Sequence, residues 1–389
     1  MSAKKLAILN IGSDEITLVL QDGKYTGSLL FMSTAAYAGF QDGEFLEIEG
    51  LFSAIDGLVK ECAEAAFFKP THILVGVPGE FTAVVCKNVV SSFPARRKVV
   101  TKDVELLFEE GNTYDDHPNF KTINASPIYF LNEKGEKSIN PTSMQAKTFT
   151  AYMSYILCER SFISLFDRIA DSLNLKFDYT SSMLAEFMFV VPPEVRDKGV
   201  VLADIGYISS TVAYGKGDGL LLSAAFSAGG GHIAGDLTTC LSIPFDHAME
   251  LTPKINLNLQ PGESDLYMVS VKGEAFSYNI KEVNEVAYYR VKDIAEIIDR
   301  ALKSGAIEVP PQTGILLTGG GISTIVGAKE IISEATGRTV KLISADLLQF
   351  NKPAQSSLAG LILLQQQKYG KRRQGSFLQT LFSLFRRNK

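Results

Sequence analysis

The stretch LAILNIGSDEITLVL, residues 6–20, reads as two short strands joined by a Gly-Ser turn. A third strand is expected near Lys24–Leu30. The same layout returns about 190 residues later in GVVLADIGYISSTVAYGKGDGLLLSAAF, residues 199–226: strand, Gly turn, strand, Gly-rich turn, strand. Two such hairpins in one chain are a weak internal duplication and argue for two related lobes. After the first hairpin come a helix over residues 51–66 and the apolar strand THILVGVP, residues 71–78. A hairpin, a helix and a further strand in that order imply α/β layering.

Between about Phe81 and Phe162 the texture changes. Strand-like FTAVVCKNVV is followed by a helix after Thr101, with Asp103 and Glu105 in its first turn as a start signal. MQAKTFTAYMSYI then alternates as a strand, which suggests a separate small α+β unit. A helix over residues 161–173 restores the main pattern. The region from about Asp246 to Ala287 is mixed and reads as a small insertion. Val291, Ile294, Ile297, Ile298 and Leu302 repeat at helical spacing within 288–303. TGILLTGGGISTIVGAKEIISEATG gives a buried strand, a Gly turn and a helix, and residues 355–368 give a last helix.

The chain has 389 residues, more than one hydrophobic core serves. Its apolar fraction of 46% and charged fraction of 21% exclude a disordered chain. No apolar run reaches the roughly 18–20 residues that span a bilayer. The start, MSAKKLAILNIGSDE, reads as a first strand and not as a signal peptide. Cys62, Cys86, Cys158 and Cys240 lie far apart without CxxC spacing, so reduced, mostly buried thiols and a cytosolic location are expected.

The formal net charge of -5 conceals an asymmetry. The last acidic residue is Asp346, and from Lys368 onward seven basic residues stand without an acid. Setting those seven aside leaves 31 bases against 43 acids, so a body at -12 carries a +7 tail. In that tail Phe377, Leu378, Leu381, Phe382, Leu384 and Phe385 fall on one helix face. Lys371, Arg372, Arg373, Arg386 and Arg387 flank the stripe. Three phenylalanines and three leucines give a gross upper figure of roughly 9–18 kcal/mol on burial, much reduced by helix ordering and partial immersion. The stripe is too short to span and is expected to lie in the interface of an anionic membrane. The apolar stripe needs no nucleic acid, and none is expected as a partner.

Three elements recur as candidate phosphate-facing loops: NIGS (Asn10, Gly12, Ser13), DIGYISS (Asp204, Gly206, Ser209) and LLTGGGIS (Thr318, Gly319, Gly320, Gly321). Gly turns after strands can present backbone N–H groups to an anion. In their order and spacing they resemble the actin-like ATPase superfamily. The resemblance narrows to the bacterial cell-division protein FtsA and covers nearly the whole chain. GVPGEF (residues 76–81) leads into what looks like the inserted 1C subdomain, KVVTKDVELLFEEG is similar to its helix, and MQAK (residues 144–147) occupies the place of an FtsA motif. The tail resembles the FtsA membrane-targeting helix, which argues for FtsA over the pilus-assembly protein PilM.

The resemblance implies an α/β, two-lobed actin-like fold of duplicated ribonuclease-H-like domains. Subdomain 1A would cover 1–80 and 163–200, 1C 81–162, 2A 201–245 and 291–349, and 2B 246–290. A final 1A helix would cover 350–367, and a linker with the amphipathic helix 368–389. It implies ATP and Mg²⁺ as ligands, with Gly230, Gly231, Glu250 and Lys254 added to the nucleotide contacts and Asp204 holding Mg²⁺ through water. Asp236 would stand at a matching place on the helix after the glycine run. The implied role is to tether FtsZ, through its C-terminal peptide and subdomain 2B, to the cytoplasmic face of the cell membrane at the division site. Self-association into a dimer or filament, and contacts of 1C with other division proteins, are further implications.

Departures stand beside it. Asn10 takes the place of the usual acid, Glu15 the vicinity of a common FtsA lysine, and Tyr207 and Ile208 the place of glycines. An acid 4 Å from a phosphate costs about 4 kcal/mol at an effective dielectric near 20. ATP is therefore expected as a conformational ligand with weak or absent hydrolysis, and no residue stands out as catalytic. The alternatives are a PilM-like adaptor of a pilus or secretion assembly and a small-molecule kinase of the same superfamily. No motif places the carboxylate base a kinase needs.

Overall fold

The computed structural model of the protein describes residues 5–23, 28–114, 116–305 and 307–369. Lys5–Ile11 and Glu15–Asp22 form the first hairpin, with Asn10 opposite Thr17 and Ile11 opposite Ile16. Lys5–Ile11 also runs parallel to His72–Val77, where Asn10 meets Gly76. The full sheet has the order Lys176–Ser181, His72–Val77, Lys5–Ile11, Glu15–Asp22, Leu29–Ala36. The third strand is described over Leu29–Ala36, reaching six residues beyond the expected end at Leu30. As an edge strand it buries little, so Met32, Ser33 and Thr34 lack the apolar density that marks a strand.

The second sheet repeats this plan. Its order is Gly219–Phe226, Ser210–Lys216, Val200–Ile205, Ile315–Thr318, Val340–Leu342. Asp204 stands opposite Thr211 in the antiparallel hairpin and beside Thr318 in the parallel pair. Asn10 and Asp204 thus hold equivalent positions, each one residue before the end of its strand. The duplication read from the sequence is one of topology and of register. Two sheet-rich lobes of the actin-like α/β type result.

Helices cover both faces of the first sheet. Ile48–Ala65 and Arg160–Leu173 pack on Leu9, Leu18 and Leu20. Ser182–Val190 and the last helix, Ser356–Tyr369, pack on Ile8, Val19 and Leu74. The last two cross closely: a Cβ at Gly360 would stand 2.7 Å from the Glu186 backbone. The long helix of the second lobe runs Ile280–Ser304, two turns earlier than the 288–303 expected. Asn279 caps it, its side chain accepting from Lys281 N at 2.9 Å and Glu282 N at 3.2 Å. Those first turns are mostly polar, with only Val283 and Ala287 buried, so the apolar stripe is thin there.

Between His72–Val77 and Arg160–Leu173 the chain builds a four-stranded sheet in the order Thr82–Lys98, Gln145–Glu159, Phe120–Asn132, Lys137–Ser138. Helix Thr101–Gly111 lies on it over a core of its own that includes Leu107, Phe130, Phe149 and Tyr155. In the second lobe, helix Phe245–Leu251 packs on a hairpin of Leu266–Val271 and Glu274–Asn279. Cys62 and Cys158 are buried, whereas Cys240 is exposed against expectation. Among the described residues no helix is long and apolar enough to cross a membrane. The basic amphipathic stretch of residues 371–387 lies outside the described residues.

Candidate functional site between the two lobes

The equivalent hairpins end in equivalent turns. Gly12 N donates to Glu15 O at 2.9 Å, and Gly206 N donates to Ser209 O at 3.1 Å. The two turns line one cleft, where Ile208 N donates to Ser13 Oγ. The glycine turn after Ile315–Thr318 closes its side, and the cavity measures about 320 Å³. Asn10, Gly12, Ser13, Asp204, Gly206, Ser209, Gly319 and Gly320 line it, as do Asp14, Glu15, Glu80 and Tyr207. Eight of the residues singled out from the sequence therefore meet in one place.

The remaining ones sit elsewhere. Thr318 is buried below the cavity, its hydroxyl donating to Pro353 O at 3.1 Å. Gly230 N and Gly231 N donate to the carbonyls of Gly206 and Tyr207 at 2.9 and 2.8 Å, and Gly321 N to Ile205 O at 2.7 Å. Gly319 N donates to Pro353 O at 3.2 Å. These glycines stitch loop to loop. Glu250 and Lys254 do not line the cavity. Helix Phe245–Leu251 turns Glu250 outward, and Lys254 Nζ donates to Met268 O at 2.6 Å. Asp236 is held by Arg290 in two hydrogen bonds of 2.6 and 2.8 Å.

No family model matches the chain. Curated relatives do. It is 20% identical over 339 residues to the cell division protein FtsA of Buchnera aphidicola subsp. Baizongia pistaciae, covering 84% of this chain and 80% of the relative. It is 20% identical to FtsA of Staphylococcus epidermidis over 361 residues, 91% of this chain and 77% of the relative. To FtsA of Streptococcus pneumoniae it is 22% identical over 359 residues, 89% and 77%. Among solved structures, the PilM–PilN type IV pilus biogenesis complex superposes with a TM-score of 0.58 at 13% identity, over 92% of this chain and 97% of that one. MreB5 of Spiroplasma citri bound to ADP gives 0.56 at 11% identity, over 95% and 98%. The chain is a divergent FtsA-like protein with the actin fold.

In this FtsA-like cleft the charge is acidic. Burial, aided by Glu15, raises the Asp14 carboxyl to about 6. Burial, aided by Glu80, raises Asp204 to about 6 as well. Burial pushes Glu80 up, with the Ser209 hydroxyl opposing, and its Oε1 is shut from solvent without a hydrogen-bond partner. Glu186 is fully buried under the cavity beside Asp204 and Thr318. Burial, then the Asp204 charge, raises it well above the ordinary range, and neither carboxyl oxygen finds a hydrogen-bonding partner. No lysine, arginine or histidine is among the residues lining the cavity.

The relative solved with ADP bound prompts the question whether Mg²⁺ and ATP fit here. The residues present do not fit a triphosphate in this arrangement. A triphosphate would meet four acids and no cation. The N–H groups of the glycine turns at 206, 230, 231, 319 and 321 already donate to protein carbonyls. Ile208 N donates to Ser13 Oγ at 3.2 Å, which joins the two turns where a phosphate would enter. The Tyr207 ring lies against Gly231, where a Cβ would come within 2.7 Å of it, and its hydroxyl donates to Met249 Sδ at 3.0 Å. Among the described residues no cluster of three metal-ligating side chains occurs.

Sequence reasoning missed Glu80 and Glu186. Glu80 stands in GVPGEF, a short turn between strands in which one acid carries no local signal. Glu186 is the single charge in helix Ser182–Val190, and an isolated acid in an apolar helix was the available signal.

Proposed function

We propose that this chain is an actin-like cell-division adaptor that tethers filaments of the tubulin-like protein FtsZ to the cytoplasmic face of the cell membrane at the division site. The observation that carries the reading is the pairing of a duplicated, two-lobed body with a +7 amphipathic tail that follows its last helix, Ser356–Tyr369. The FtsA likeness over most of the chain supports it. The tail would lie in the interface of anionic lipid, its Phe377–Phe385 stripe in the acyl boundary and its bases at the headgroups.

We assign residues 1–80 and 163–200 to subdomain 1A and 81–162 to an inserted 1C that meets other division proteins. Residues 201–245 and 291–349 form 2A, 246–290 form 2B, and 350–367 the closing 1A helix. In 2B, Leu266 and Met268 on the hairpin and Met249 on the neighbouring helix, with Phe245 at the 2A boundary, are exposed apolar side chains suited to the FtsZ C-terminal peptide. Self-association through the lobes would present many tails at once, multiplying a weak single anchor.

No step of this role passes through ATP, since the cleft as built does not fit a triphosphate. A PilM-like adaptor shares the fold alone, and the relatives that match over most of this chain are division proteins and not kinases. A pulldown with the FtsZ C-terminal peptide, run with and without Mg·ATP, tests the reading. Equal capture in both, lost in Met268→Glu, is the expected result; no capture by the unaltered chain refutes FtsZ tethering. Deleting residues 375–389 should move the chain from anionic liposomes to the supernatant, and unchanged pelleting refutes the anchor.

A further inference from the structure

Phe67 stands in the left-handed region with φ of +48° and is 94% exposed. It follows helix Ile48–Ala65 at the place where glycine or asparagine usually closes a helix. A bulky side chain is disfavoured there, and a bare phenylalanine in water is disfavoured again. Its neighbour shows what the local fold needs: Phe68 is half-buried, with Lys5 Nζ 4.4 Å from its ring centroid. The body therefore uses Phe68, and leaves Phe67 pointing away from every contact that would repay its conformation.

The site of this side chain is informative. Lys5 opens the central strand of the first sheet and pairs with Asp22; Leu6 pairs with Gln21, and Gln21 with Leu29 on the edge strand. Leu29 and Leu30 at that end are 36% and 41% exposed. The last helix arrives at the same end: Gln365 Nε2 donates to Ala7 O at 3.3 Å, and Gln366 Nε2 to Gln21 Oε1 at 3.5 Å. The helix ends three residues later, at Tyr369. Phe67, Leu29, Leu30 and the exit of the tail thus share one end of one sheet.

Only residues 370–376 separate that exit from the apolar stripe that begins at Phe377. Seven residues reach at most about 24 Å even fully extended. A stripe lying in a bilayer interface therefore keeps this end of the sheet close to the same bilayer. We propose that the end of the first lobe is a second membrane contact, with Phe67 as the side chain that enters the interface of an anionic bilayer. The proposal rests on the reading of the tail as a membrane anchor. It adds an orientation: two contacts fix how the body stands on the membrane, where one tethered helix would leave it free to turn. Lys5, Lys69 and Lys176 at this end are offset by Asp22, Glu61 and Glu64, so the contact is apolar in character and its contribution insensitive to salt, unlike that of the basic tail.

The chain contains no tryptophan, so Phe67→Trp supplies a single fluorescent reporter in the full-length protein. With vesicles of phosphatidylglycerol and phosphatidylcholine, its emission should shift to the blue and be quenched by brominated lipid. Phe67→Gly should weaken vesicle affinity about three- to tenfold. Its melting temperature should hold or rise, because glycine suits the left-handed backbone. A Phe67→Trp chain that pellets with vesicles while its indole stays in water overturns the second contact and leaves the tail reading intact. A chain that does not pellet at all overturns both. A blue shift that grows with protein concentration in the absence of vesicles assigns Phe67 to a second copy of the chain and overturns the membrane contact.

Discussion

Ser13 Oγ accepts a hydrogen bond from the backbone N–H of Ile208 at 3.2 Å, so the tips of the two duplicated hairpins touch across the cleft. One lobe supplies the hydroxyl and the other the amide. Gly79 adds to this closure, since any side chain there would collide with Thr211 of the opposite lobe. The lobes are held together by the protein's own polar groups at the point where a ligand phosphate would otherwise bridge them. Removing the hydroxyl should loosen that junction. Ser13→Ala is expected to lower stability by about 0.5–1.5 kcal/mol. Hydrogen exchange at the Ile208 amide should accelerate while the strand amides of Val200–Ile205 keep their protection; an unchanged Ile208 amide would show the bond to be idle.

The acidic, self-bonded cleft makes a prediction for nucleotide. Binding to the folded state alone raises the melting temperature by mass action. Millimolar Mg·ATP should shift the melting temperature of the full chain by less than about 1 °C, the change expected from somewhat under 1 kcal/mol in a protein this large. A larger shift, or heat of binding by calorimetry, would mean that the lobes open and that the Ser13–Ile208 bond yields to phosphate.

Glu186 links stability to pH. Its carboxyl is raised far above the ordinary 4.5, so the folded chain keeps a proton that the unfolded chain releases. Stability then falls as pH rises above about 4.5, because the native state binds more protons. Asp14 and Asp204, both raised to about 6, act in the same direction between roughly 4 and 6. Glu186→Gln has no proton to take up. Its stability relative to the unaltered chain should improve by up to about 1.4 kcal/mol per pH unit above 4.5. Denaturant midpoints measured from pH 5 to about 8 would check this, and parallel curves for the two proteins would refute it.

Gly360 tests the helix crossing beneath the cleft. A Cβ there would stand 2.7 Å from the Glu186 backbone, which has no flexible end to move aside. Gly360→Ala should cost about 1–3 kcal/mol. Gly57→Ala is the matched control: it lies inside helix Ile48–Ala65 with nothing within 4 Å of the new methyl. It should stabilise by about 0.5–1 kcal/mol, and urea denaturation of the two variants should move in opposite directions.

Much of the fold was legible because its signals are local. NIGS and DIGYISS are turns between apolar strands, and the structure gives both the same glycine bond and the same register. The edge strand Leu29–Ala36 and the start of helix Ile280–Ser304 were misplaced because neither carries a dense apolar pattern there. The site was half legible. Asn10, Ser13, Asp204 and Gly319 were found as turn residues; Glu80 and Glu186 belong to other segments and become neighbours of Asp204 only through the packing of two sheets. Glu250 and Lys254 were implied by the family resemblance, in a stretch that Pro253 interrupts. The Leu266–Val271 strand, more than ten residues further on, takes Lys254 instead.

By itself the sequence determined the repeated hairpin, the acidic body and the basic amphipathic tail. Each rests on the order of neighbouring residues: alternation makes a strand, glycine admits a tight turn, and a 3.6-residue period makes a face. Only the tertiary structure decided what the cleft is. Its acidity comes from carboxylates far apart in the chain, and several of its N–H groups are taken by carbonyls of loops distant in sequence. It also brought Phe67 to the end of the sheet where the tail departs. These are properties of distance in space, which no local pattern encodes.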